Sequence, residues 1–178
     1  VSEIIKQKII PTGLEFMEKE SVNAAEKLLE KEIPFHDAAA HLLITLDGND
    51  KNSIEADYEK IGEICLENGA IDVLVSAHTQ MRDKLWEARR VIIEALQALS
   101  PQRIMDTQDV VVPRSRLPEL LKQIRDVADK YSLNIINFGH AGDGNVHVCI
   151  IKDIPEDAWQ DKRPRATAEI YRIAVSLG

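Results

Sequence analysis

Phe138-Gly139-His140-Ala141-Gly142-Asp143-Gly144-Asn145-Val146-His147-Val148 is the stretch on which the reading of this sequence turns. Asp-Gly between alternating apolar residues signals a β-hairpin closed by a two-residue type I′ turn. With Asp143 and Gly144 at the turn centre, Gly142 pairs with Asn145, Ala141 with Val146, and His140 with His147. The two histidines then stand directly opposite each other, with Cβ atoms roughly 5 Å apart. Alternation puts Phe138 and Cys149 on their face and turns Val146, Val148 and Ile150 to the other. One face packs and the other presents imidazoles. Two imidazoles at that spacing can converge on one metal ion, or they can form a polar pair with a purely structural role. A catalytic metal usually takes a third protein ligand, for which Asp143 and Glu169 are the nearby candidates in sequence.

Outward from the hairpin, helical and extended patterns alternate. Residues 2–9 predict a short helix stopped by Pro11, and residues 12–31 a second helix with Leu14, Met17, Ala24, Leu28 and Leu29 as its apolar positions. His41–Leu46 reads as a buried strand closed by Asp47-Gly48, and Ser53–Asn68 as a helix followed by Gly69 at its C′ position. Ile71–Ser76 predicts another strand, and Gln80–Leu99 the longest helix, with Pro101 just beyond it. Asp109–Pro113 predicts a third strand. A helix capped by Ser115, with Pro118 in its first turn, runs from there to Tyr131. The hairpin strands are Asn134–Ala141 and Asn145–Ile151, and a last helix starts near Pro155. The expected fold is α+β and ferredoxin-like, a largely antiparallel sheet with helices packed on one face.

The chain has 178 residues, enough for one domain with a real core, and 44% of them are hydrophobic. A net charge of −8 argues against nucleic acid and against an anionic membrane surface as partners. Cys65 and Cys149 lie far apart in no metal or redox motif, which points to a reducing, cytoplasmic setting. No apolar run approaches the ~20 residues of a membrane span. The first residue is not Met and the last ones stop within a helical pattern, so residues 1–178 are expected to be one domain of a longer protein.

His140-Ala141-Gly142-Asp143-Gly144-Asn145-Val146-His147 resembles the HxGDGNxH signature of the C-terminal, substrate-side domain of the FAD-linked oxidases. That family includes D-lactate dehydrogenases, the glycolate oxidase flavoprotein subunit and D-2-hydroxyglutarate dehydrogenase. Pro11–Met17 resembles its P-x-x-L-E segment, Leu43–Gly48 its LLIEVDG strand, Leu85–Arg90 its LWxxR helix and Asp109–Arg114 its DVxVP strand, all in the family's order.

The resemblance implies oxidation of a small 2-hydroxy acid to a 2-oxo acid, with hydride passing to FAD held by a separate N-terminal domain. It implies that His140 and His147 bind a divalent metal (zinc, or manganese or iron) and serve catalysis. The family's third ligand is a Glu in a downstream GEHG segment, which does not occur here. Arg89 matches the LWxxR arginine and is implied to bind the substrate carboxylate, for which a planar guanidinium is suited. Without the resemblance, Arg89 reads as a solvated helix charge beside Arg90, and Trp86 as a core residue. Asn145, within the signature, is a further substrate-binding candidate. The sequence departs from the family at Cys149, where an Asn can occur, and at Thr107-Gln108, where a Lys can precede DVxVP. Partner subunits, an electron acceptor after FAD and a homo-oligomer are compatible with this reading. The alternatives are a free-standing metal- or ligand-binding α+β module without redox activity, and an acidic interaction domain in which the histidine pair is structural. His36, His41 and His78 read as ordinary structural or surface residues.

Overall fold

Val146, Val148 and Ile150 alternate with His147, Cys149 and Ile151, and this alternation builds a strand buried on both sides. In the computed structural model, which describes residues 1–76 and 79–178, the elements run in this order. Helix α1 (Ser2–Lys6), strand β1 (Gly13–Glu18), helix α2 (Lys19–Leu29) and strand β2 (Ala40–Thr45) come first. Helices α3 (Lys51–Glu67) and α4 (Thr79–Gln97), strand β3 (Met105–Val111) and a short 3-10 turn (Arg114–Arg116) follow. Helix α5 (Leu117–Tyr131), strands β4 (Asn134–His140) and β5 (Asn145–Ile151), and helix α6 (Glu156–Leu177) complete the chain.

The five strands form one antiparallel sheet in the order β2-β1-β4-β5-β3. Both β3 and β4 run antiparallel to β5 between them, so β3–α5–β4 is a split βαβ crossover of the ferredoxin-like kind. The α+β, antiparallel expectation therefore holds. The helices, however, cover both faces rather than one. Val146, Val148 and Ile150 join Leu14 and Phe16 against Leu120 and Ile124 of α5 and Trp159 and Ile170 of α6. Cys149, Ile151, Ile136 and Phe138 face the other way, against Val22 and Ala25 of α2 and Ile92 and Leu96 of α4. Apolar residues on both faces of β4 and β5 require two helical layers, because either face left in water would forfeit its burial.

Three local expectations are corrected. Residues 13–18 form strand β1, not the start of a helix. Leu14 and Phe16 face one core while Met17 faces the other, so a strand buried on both sides shows no polar alternation to read. Ile71–Ser76 is irregular: Ile71 is 75% exposed, and Leu74 and Val75 are exposed beside it. Among the described residues, residues 71–75 join none of the sheet's strands, so their β-propensity yields no ladder. Ser115 lies in the 3-10 turn, and Arg116 caps α5 without a side-chain bond, although Pro118 does stand in the first turn. Gly69 follows α3 with φ +85°, the left-handed conformation expected of a C′ glycine. No helix among the described residues is long and apolar enough to cross a membrane.

Glu18, at the end of β1, shows what this burial costs a charged group. Burial pushes its carboxyl above the usual range, offset in part by N–H donors from the Asn137 side chain and backbone and by Arg125. The folded protein thus holds this proton to higher pH than the unfolded chain does. The group's contribution is greatest below the ordinary carboxylate value and is lost as pH rises through it towards the raised one. Glu18→Gln is expected to flatten the rise of urea sensitivity as pH climbs above the ordinary carboxylate value. Parallel stability–pH curves for the two proteins would contradict this.

Candidate functional site

The hairpin that carries the histidines is closed by four residues, not two. His140 pairs with Asn145 and Phe138 with His147, so the direct pairing of the two histidines expected from a type I′ turn does not occur. The Gly144 N–H donates to the His140 carbonyl at 3.1 Å, and of the loop residues Ala141–Gly144 only Gly144 has a positive φ, +84°. Asp143 is used locally, its carboxylate accepting from the Asn145 N–H at 3.0 Å. The register differs by two residues from the expected one. A two-residue shift keeps every side chain on its face, where a one-residue slip would reverse them all. His140 and His147 therefore still share a face, diagonally placed, with ring centroids 5.1 Å and Nε2 atoms 3.4 Å apart.

Each imidazole is held from behind by the carboxylate that lies across from it on the adjoining strand. Glu15 of β1 is in register with His140, and its Oε1 accepts from His140 Nδ1 at 2.8 Å. Asp109 of β3 is in register with His147 and accepts from His147 Nδ1. A carboxylate accepts, so each ring donates through Nδ1 and turns its Nε2 towards the other ring. At 3.4 Å the two Nε2 atoms are within hydrogen-bonding distance of each other. The carboxylate–histidine arrangement is the one that orients metal-binding imidazoles. Among the described residues, no group of three His, Cys, Asp or Glu side chains gathers into a complete metal site. Asp143 is committed to Asn145, and Glu169 lies elsewhere, accepting from Lys130 and Tyr131.

Arg89 comes to the same place from α4. Its Nε donates to Glu15 Oε2 at 3.0 Å, its Nη2 lies 2.8 Å from the same oxygen in an ion pair, and its guanidinium carbon lies 4.7 Å over the Phe138 ring. With its side chain only 12% exposed, Arg89 is no solvated helix charge. Phe138 in turn touches His147, ring to ring at 4.9 Å. Asn145 begins β5 beside His140, and its Oδ1 is buried without a hydrogen-bond partner among the described residues. All four candidates read from the sequence, Arg89, Asn145, His140 and His147, therefore converge on one region.

Two residues of the site were not singled out in the sequence. Glu15 stands in the recognised P-x-x-L-E segment, but the helical reading of residues 12–31 gives it no strand partner. Asp109 stood in the recognised DVVVP strand, where pairing that strand with β5 would have found it. The two departures from the family pattern, Thr107 and Cys149, are in register with each other, with Oγ1 and Sγ 3.9 Å apart. Burial pushes the Cys149 thiol up to about 11, so it stays protonated and unreactive near neutrality. His41 is structural, bonded through Nε2 to the Pro34 carbonyl at 2.9 Å, while His36 is exposed beside Asp37. His78 lies outside the described residues.

The family model described as "FAD linked oxidases, C-terminal domain" matches residues 1–178. The chain is 39% identical over its whole length to the glycolate oxidase subunit GlcD of Bacillus subtilis, covering 37% of that protein. It is 37% identical, again over its whole length, to a D-lactate dehydrogenase of Anaerostipes hadrus, covering 38% of it. A D-lactate dehydrogenase of Archaeoglobus fulgidus is 29% identical over 98% of the chain. The chain spans a little over a third of the length of these curated relatives. With a match that runs from end to end, the chain belongs to the family of FAD-linked oxidase C-terminal domains.

Proposed function

We propose that this domain forms the substrate side of an FAD-dependent 2-hydroxy-acid dehydrogenase of the glycolate or D-lactate type. The observation that supports it best is a mostly covered guanidinium beside two imidazoles whose Nε2 atoms face each other at 3.4 Å. A 2-hydroxy acid offers the matching groups, a carboxylate for Arg89 and a hydroxyl for the histidines. Oxidation removes a hydride from C2 and a proton from the hydroxyl, leaving a 2-oxo acid. FAD, held by a part of the protein outside this chain, supplies the hydride acceptor. A divalent ion such as zinc, manganese or iron fits the two imidazoles as two of its ligands and, when bound, lowers the pKa of the substrate hydroxyl.

The chain's own residues do the rest. Arg89 anchors the substrate carboxylate and so fixes the orientation of C2. His140 and His147 present Nε2 towards the hydroxyl, each kept in that tautomer by its carboxylate. Asn145 Oδ1 offers an unpaired acceptor at the edge of the same region. The name of the Bacillus subtilis relative, a glycolate oxidase subunit, makes partner subunits part of this proposal. A cytoplasmic setting, suggested by two free cysteines, is also part of it.

The test is anaerobic mixing of the FAD-loaded protein with glycolate and with D-lactate. One of them is expected to bleach the flavin. Arg89→Met is expected to raise KM roughly 10- to 150-fold, the loss of a charge-assisted pair of hydrogen bonds. A flavin that neither acid reduces, or an unchanged KM in the variant, would contradict the proposal.

A further inference from the structure

We propose that Glu15 is a positioning residue that sets the spacing between the group handling the substrate hydroxyl and the group handling its carboxylate. The inference rests on the functional reading given above. Glu15 is only 8% exposed and sits on a strand paired on both sides, with Leu43 of β2 and His140 of β4. Its two oxygens are divided. Oε1 accepts from His140 Nδ1 at 2.8 Å, and Oε2 accepts from Arg89 Nε at 3.0 Å with Nη2 2.8 Å away in the same ion pair. A carboxyl group is planar and rigid, so the imidazole and the guanidinium are held as one unit.

The division is informative. An arginine that served only as a counter-ion would pair in parallel with both oxygens of one carboxylate, the preferred fork geometry. Here the second oxygen is given to the imidazole instead. A buried ion pair also adds little net stability, so fold stability alone is a weak reason for keeping this one. What the arrangement leaves outward is specific. Nε2 of His140 faces His147, and Nη1 of Arg89 has no partner among the described residues. Phe138 limits the remaining freedom by touching both the guanidinium and the His147 ring. Two fixed contacts suit a molecule whose hydroxyl and carboxylate sit on adjacent carbons. We assign that fixed span to adjacent carbons rather than to a hydroxyl one carbon further away. Glu15 is thereby assigned a share of the selectivity for 2-hydroxy over 3-hydroxy acids.

The experiment compares Glu15→Gln, Glu15→Asp, Arg89→Met and His140→Ala in the FAD-loaded holoenzyme, with D-lactate and its isomer 3-hydroxypropanoate as substrates. Glu15→Asp, whose shorter arm cannot reach both groups, is expected to lower kcat/KM for D-lactate about 10- to 100-fold, through kcat and KM together. The preference for D-lactate over 3-hydroxypropanoate should narrow, and Glu15→Gln, which puts an N–H donor where one acceptor oxygen stood, should lose activity as well. Wild-type kinetics in folded, FAD-containing Glu15 variants, beside a crippled Arg89→Met, would overturn this inference alone. Wild-type activity in both Arg89→Met and His140→Ala would overturn the functional reading, and this inference with it. Nitrogen NMR of isotope-labelled histidine in the unmutated holoenzyme decides the matter if the Glu15 variants do not fold. A proton on His140 Nδ1 is expected, and a proton on Nε2 would overturn the proposal.

Discussion

Gly144→Ala is expected to destabilise the fold by about 2–5 kcal/mol and to take the histidine site with it. Two costs add. Gly144 has φ +84°, a conformation that costs an L-residue about 1–2 kcal/mol. An added Cβ would also lie 1.9 Å from the carbonyl oxygen of Val112, a backbone atom that cannot swing away. Relieving such an overlap in a packed region typically costs about 1–3 kcal/mol more. That carbonyl belongs to the segment leaving β3, and the Val112 N–H donates back to the Gly144 carbonyl at 3.1 Å. Any displacement therefore pulls at the β3–β5 edge that brings Asp109 to His147. In a chain of this length the thermal midpoint should drop by roughly 4–20 °C. A midpoint within a degree or two of the unmutated protein would contradict this account of the loop.

His140→Ala is expected to do the reverse, sparing the fold and removing the chemistry. The His140 side chain is 43% exposed, but its loss leaves the buried Glu15 Oε1 without that partner, so about 1–3 kcal/mol of stability is at stake. Turnover of the 2-hydroxy acid by the FAD-loaded protein should fall about 100- to 10,000-fold, the usual worth of a group that assists proton removal at the reacting centre. His147→Ala should do likewise, since the two Nε2 atoms share one space. The kinetic signature separates these variants from Arg89→Met. Loss of an imidazole should show mainly in kcat, and loss of the guanidinium mainly in KM. Turnover close to that of the unmutated protein in either histidine variant would remove the pair from the mechanism.

How much of this was legible in the sequence depends on which physical rule each feature obeys. The shared face of His140 and His147 could be read because the period of a strand is two, and the four-residue loop shifted the register by two. The loop itself could not. Asp-Gly suggests a tight turn, but only Gly144 takes a positive φ and the remaining loop residues do not supply the second that a type I′ turn needs. β1 was illegible for a different reason. Leu14, Phe16 and Met17 are buried on opposite faces of the sheet, and helical spacing could be drawn through the same residues. That misreading concealed Glu15, the residue to which both His140 and Arg89 are tied. The second helical layer was foreshadowed by Ile136, Phe138, Cys149 and Ile151, whose apolar side chains lie on the histidine side of the hairpin and need cover.

Elemental analysis of the FAD-loaded protein, beside a His140→Ala/His147→Ala version purified without chelators, tests the central claim most directly. The account predicts about one divalent ion per chain in the unmutated protein and none in the double variant, with FAD content equal in the two. An unmutated protein that is fully active and free of metal, or a double variant that holds as much metal as its parent, would contradict it.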